Sequence, residues 1–152
     1  MPGAGKSSVG VILAKVLGYE FIDTDLVIQH REKRLLREII ADEGNEGFLA
    51  IENEVNATLE ANKSVIAPGG SAIYGKEAME HFKEIGTIVY LKLSYEDLAK
   101  RLGNLKGRGV VLKEGQTLKD LYDERSKLYE QYAEITVDES GRDIKGTCLL
   151  YT

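Results

Sequence analysis

Residues 2–8 read Pro2-Gly3-Ala4-Gly5-Lys6-Ser7-Ser8, a glycine-rich turn that runs straight into an apolar helical pattern. The phosphate-loop pattern is G-x-x-x-x-G-K-[ST], and this stretch holds all of it except the leading glycine, which would fall one residue before Met1. The residue types follow from the mechanism. Gly3 and Gly5 admit backbone angles that turn successive N–H groups, those of Ala4 to Ser8 included, inward around a phosphate. The positive end of the following helix adds to that field. Lys6 would neutralise the β/γ-phosphates, and Ser7 would offer its hydroxyl to Mg²⁺. The plain alternative is a helix start whose Ser7 and Ser8 only cap or face solvent. The loop's place before an amphipathic helix in an acidic chain favours the phosphate reading.

Outward from the loop, short β-rich runs alternate with helical patterns. Residues 5–17 place Val9, Val11, Ile12, Leu13, Val16 and Leu17 at helical spacing, predicting a broad buried face. Residues 19–22 form a short strand, followed at once by Asp23, Thr24 and Asp25 and a helical run from Leu26. Helical patterns recur at residues 35–42, 48–59, 76–85, 95–102 and 118–133. Strands are expected at 64–67, ahead of Pro68-Gly69-Gly70, at 87–93 and at 135–137. Residues 103–116 are rich in Gly and Lys and read as a lid. Strands separated by helices need crossover connections, which implies a parallel sheet covered on both faces. The expected fold is α/β, three layers α/β/α, as one kinase-like domain over residues 1–152.

Composition fits that outline. The 152 residues are 43% hydrophobic and 30% charged, which excludes a disordered chain. A net charge of −5 makes a poor general binder of nucleic acid, though a local pocket for a small anion remains. The single cysteine, Cys148, excludes an internal disulfide framework, and the sequence has no zinc-type Cys/His cluster. No apolar signal core or spanning run is present, so a cytoplasmic protein without membrane partners is expected, most simply a monomer.

The order of motifs resembles the shikimate kinase family, within the P-loop nucleoside monophosphate kinase-like group. The shared features are the phosphate loop, FIDTD at 21–25, the F-x-x-x-E helix at 48–52 and the apolar strand leading to a glycine cluster. An arginine-bearing lid and the helix holding Arg125-Ser126-Lys127-Leu128-Tyr129 complete the order. The resemblance implies ATP as donor, Mg²⁺ as cofactor and a small anionic hydroxy acid, shikimate, as acceptor. It implies Asp23 near Mg²⁺, and Asp25 on the acceptor hydroxyls as orienter or base. Gly69 and Gly70 would approach the acceptor and γ-phosphate, and Arg101 would lie beside adenine. Arg108 would close on the phosphates from the lid, and Arg125 would grip the acceptor's carboxylate. Each also has a structural reading: Asp23 or Asp25 could cap the next helix, and the arginines could be solvated charges. His30 and His81, in charged helical stretches, are expected at the surface without a role, and Tyr129 and Tyr132 as packing residues.

Three features depart from the family pattern. The F-R-x-x-E arginine is replaced by Leu49, and the third glycine of the cluster by Ser71. Both changes fall on the acceptor side, which keeps a different acceptor, or a nucleotide-binding module without transfer, in view. The third concerns the fold: a phosphate loop normally follows a central strand, and this sequence opens inside the loop. The flanking strands would lack a partner unless preceding residues of the natural protein or another segment fill the slot. One reading places the β-rich tail, residues 146–152, in that slot.

Overall fold

A computed structural model describes residues 1, 3–103 and 112–141. The chain runs α1 (Lys6–Leu17), β1 (Glu20–Asp23), α2 (Thr24–Glu32), α3 (Leu36–Ala57), β2 (Ser64–Ala67), α4 (Lys76–Ile85), β3 (Val89–Lys92), α5 (Tyr95–Gly103), α6 (Leu118–Tyr132) and β4 (Ile135–Asp138). A short 3-10 turn, Ala72–Tyr74, links the glycine cluster to α4. The lid residues 104–111, with Arg108, lie outside the described residues, as do Pro2 and the tail from 142 onward.

Local chemistry explains the boundaries. Gly18 closes α1 in the left-handed region (φ 67°), its N–H returning to Ala14 and Lys15. Asp23 starts α2 by accepting from the Asp25 amide at 3.0 Å. The runs at 35–42 and 48–59 join into one helix, α3, bent where Gly44 leaves helical geometry (φ 71°, ψ −179°). Helix α6 begins with a reciprocal cap: Thr117 Oγ1 accepts from the Asp120 amide, and Asp120 Oδ2 accepts from the Thr117 amide. The strand expected at 87–93 is shorter at both ends than its apolar run, because β4 pairs with only four of its residues.

All strand pairing among the described residues is parallel, as the alternation requires. β1 pairs with β2 from Glu20↔Ser64 to Asp23↔Ala67, and β3 pairs with β4 from Val89↔Ile135 to Lys92↔Asp138. Among the described residues the four strands form two separate pairs. Between them lies a cavity of about 700 Å³, lined by Val65, Ile66, Tyr90 and Leu91 of β2 and β3 and by Val9 and Leu13 of α1. The tail residues 146–152, read into this slot from the sequence, lie outside the described residues. The halves are held together by apolar packing, chiefly Ile73, Met79 and Phe82 against Ile66, Ile88, Leu128, Tyr129 and Tyr132.

Helix α1 departs from expectation. Its buried residues are Val9, Gly10 and Ala14, whereas Val11, Ile12, Val16 and Leu17 are exposed. Apolar periodicity marks a face able to be covered, but no described element covers this one. His81 also differs: it is half-buried, with Nε2 2.7 Å from the Leu59 carbonyl, and ties α4 to the end of α3.

Candidate active site

The phosphate loop has the expected backbone. Gly3 (φ 75°) and Gly5 (φ 78°) both adopt left-handed angles, the conformation that glycine enters without a Cβ clash. Gly5 is the N-cap residue of α1, so Lys6, Ser7 and Ser8 form the helix's first turn and Ser7 and Ser8 are exposed there. Ala4 is buried beside Met1, Leu93 and Leu98, which seats the loop on the core. Lys6 Nζ donates to the Met1 carbonyl at 2.8 Å and thus bends back over the loop. Arg101, on α5, donates to the Gly3 carbonyl at 3.3 Å, and Leu102 packs against Gly3. Helix α5 therefore walls the loop, with Arg101 against Gly3; the resemblance implied a place beside adenine for this residue.

Opposite the loop, the strand ends assemble two carboxyls. Because Asp23 pairs with Ala67, the chain leaves β1 and β2 side by side, and Asp25 comes against Gly69. Asp23 caps α2, as its structural reading expects, and its carboxylate keeps acceptor capacity beyond that bond. Asp25 is half-buried; burial, then the neighbouring Asp23 charge, raises its pKa, with Lys6 pulling the other way. A Cβ on Gly69 would sit 2.7 Å from Glu52 Oε1 and 3.0 Å from Asp25 Oδ1. Gly69 thus lets two carboxyls from different helices close on one point of backbone.

Glu52 is a site residue whose role the sequence reading missed. It is fully buried on α3, accepts a 2.6 Å bond from Ser71 Oγ through Oε2, and has no hydrogen-bond partner at Oε1 among the described residues. Burial lifts its carboxyl to about 7. The glutamate of F-x-x-x-E was the only signal, and it marks a helix as readily as a site.

Arg125, on α6, is 3% exposed. Its Nε donates to the Tyr74 phenol oxygen at 3.4 Å, and its guanidinium lies 5.4 Å from the centre of the Tyr74 ring. Tyr129, one turn along, donates to the Gly70 carbonyl at 2.5 Å, fixing the glycine cluster against α6. Packing was the expectation for Tyr129, and the hydroxyl adds a support for the site. Leu49 packs with Ile28, Ile39 and Phe48 in the cluster between α2 and α3.

Electrostatics joins these parts. Burial lowers the Lys6 pKa, Asp25 raises it and Arg125 lowers it further, so groups from opposite ends of the chain act on one ammonium. The donors also suit magnesium, which takes oxygen from one or two side chains and fills its shell with phosphates and water. Ser7 on α1 and Asp23 at the end of β1 are such donors, and no all-protein cage of three or more His, Cys, Asp or Glu occurs among the described residues.

The shikimate kinase family model matches residues 2–148. The chain belongs to the shikimate kinase family. It is 34% identical over 145 residues to shikimate kinase 2 of Yersinia enterocolitica, covering 90% of this chain and 81% of that relative. A solved shikimate kinase from Acinetobacter baumannii in complex with shikimate superposes with a TM-score of 0.82 at 33% identity, over 98% of this chain and 83% of that one. A shikimate kinase from Aquifex aeolicus gives a TM-score of 0.77 at 28% identity, over 99% and 88%. These shikimate kinase structures bear out the parallel α/β reading and its P-loop kinase fold. No helix among the described residues is long and apolar enough to cross a membrane.

Proposed function

We propose that this shikimate kinase transfers the γ-phosphoryl group of ATP to the 3-hydroxyl of shikimate. The observation that carries the reading is the convergence of Lys6, Asp25 and Arg125 in one electrostatic field between the phosphate loop and the glycine cluster. The loop amides and Lys6 hold the polyphosphate, Arg101 supports the loop beside the adenine, and Arg108 is assigned to closure over the phosphates. Ser7 and Asp23 would hold Mg²⁺, which when bound supplies charge neutralisation on the phosphate oxygens.

Arg125 receives the acceptor's carboxylate. Gly69 and Gly70 bring backbone to the acceptor, and Asp25 orients its hydroxyl. The hydroxyl oxygen attacks the γ-phosphorus, the bond to the β–γ bridging oxygen breaks, and ADP leaves. The hydroxyl proton passes to Asp25, whose raised pKa suits it to hold one. Positioning and charge neutralisation dominate phosphoryl transfer, so a single well-placed guanidinium and carboxylate meet its needs even with Leu49 in the family's arginine position.

We also infer a single-domain cytoplasmic monomer, the single domain being supported by the family match along residues 2–148. An assay of ADP release tests the activity: shikimate-dependent turnover supports it, and ATP binding that shikimate leaves unchanged, with no turnover, rejects it.

A further inference from the structure

We propose that Tyr74 is a positioning residue for acceptor binding, holding the Arg125 guanidinium in the orientation that meets the carboxylate. The proposal rests on the reading that Arg125 binds that carboxylate.

Arg125 is buried, yet its hydrogen-bond partner is a phenol and no ion pair to it is found among the described residues. The Glu52 carboxyl feels this charge without pairing to it, so a ligand carboxylate would give Arg125 an ion pair that none of the described residues supplies. The Tyr74 bond uses Nε, the Tyr129 hydroxyl also hydrogen-bonds this side chain, and the terminal N–H groups that remain can meet a carboxylate. The Tyr74 ring, 5.4 Å from Cζ, limits rotation of the guanidinium as well as stabilising it.

Tyr74 is itself held. Its hydroxyl donates at 2.9 Å to Glu124 Oε1, so the same oxygen accepts from Arg125 and donates to a carboxylate. Glu124 is pinned in turn by Gln116 Nε2 at 2.9 Å and Lys113 Nζ at 3.4 Å, from the segment leading into α6. Tyr74 also ends the 3-10 turn that starts after Ser71, so the residue orienting the arginine is carried on the same short segment as Gly69 and Gly70. A leucine or threonine at 74 would provide neither the ring nor the shared hydroxyl in this geometry.

The test is steady-state kinetics on the full chain with shikimate and with its methyl ester, which lacks the carboxylate charge. Y74F keeps the ring and removes the hydroxyl. It should raise KM for shikimate about five- to tenfold, with KM for ATP unchanged and kcat altered less than about twofold. KM for the ester should not respond to Y74F. In an R125K background, where the fork is gone, adding Y74F should change nothing further. E124A, which frees the Tyr74 hydroxyl, should move KM for shikimate in the same direction by a smaller factor, and it serves if Y74F melts early. An unchanged KM in both Y74F and E124A overturns the proposal, as does an equal rise for the ester or in the R125K background. R125A separates the underlying reading: a shikimate KM at the parent value there removes Arg125 from the acceptor site, whatever Y74F does.

Discussion

Ser71 donates a 2.6 Å hydrogen bond from Oγ to Glu52 Oε2 in the interior of the protein. Burial pushes the Glu52 carboxyl up to about 7, and the Ser71 bond restrains that rise. One departure from the family pattern, Ser71, thereby supports this carboxyl. The other, Leu49, lies one helical turn before Glu52 on α3 and packs into the α2–α3 cluster. The side chain at 71 does not obstruct the glycine cluster. It supplies a partner to an acid that would otherwise be buried with none.

Ser71→Ala should therefore destabilise the fold by about 1–3 kcal/mol near pH 8, where a buried ionised carboxyl loses its donor. The loss should shrink near pH 5, where Glu52 is protonated. Urea denaturation at the two pH values checks both statements.

Glu52 also sets a pH dependence. Its folded pKa of about 7 lies above the ordinary 4.5, so between those values the folded state binds more protons than the unfolded one. Stability contributed by the neutral carboxyl is fully present below the lower value and is lost as pH rises through the upper one. Glu52→Gln should flatten that decline, gaining about 1–3 kcal/mol relative to the parent as pH rises from about 5 to 8. Parallel slopes for parent and variant would show that Glu52 does not titrate there.

Gly69→Ala would put a methyl group 2.7 Å from Glu52 Oε1 and 3.0 Å from Asp25 Oδ1. Both carboxyls must move. The expected result is a fall in kcat/KM for shikimate of about tenfold or more, with ATP affinity retained, read by paired kinetic and calorimetric titrations.

Lys6→Ala should abolish turnover, a loss of at least about a hundredfold, because a charge on the transferring phosphate is removed. Thermal melting should show a fold still intact, since Lys6 bonds the Met1 carbonyl and lies outside the apolar clusters. Early melting would give the lysine a structural role instead.

Asp25→Asn should lower kcat by about 10²–10⁴-fold while leaving ATP binding in place. In the parent, Asp25 has to be ionised to take the proton. Burial and Asp23 raise its pKa, so the acid limb of the kcat/KM profile should fall above the ordinary aspartate value of 3.8. A limb at or below that value would contradict the assignment.

Much of this site was legible in the sequence because its chemistry sits in contiguous runs. The loop from Gly3 to Ser8 and the Asp23-Thr24-Asp25 strand end need only their neighbours to be recognised, and strand β2 and helix α4 stand at the expected residues. The supports of the site were not legible. Tyr74 meets Glu124 across 50 residues, and Tyr129 meets Gly70 across 59, contacts that leave no trace in local periodicity. Glu52 reads as one charged helix residue among several until Ser71 and Gly69 close over it. Val11, Ile12 and Val16 show the converse error: a hydrophobic spacing records which face suits burial, whereas exposure depends on what packs there.

Helix α6 carries both Arg125 and, one turn on, Tyr129, whose hydroxyl holds the Gly70 carbonyl. One rod thus serves as common mount for the cation and for the glycine backbone. Shikimate seated on it should slow amide deuteration in α6 and in residues 69–71 together, as a single block.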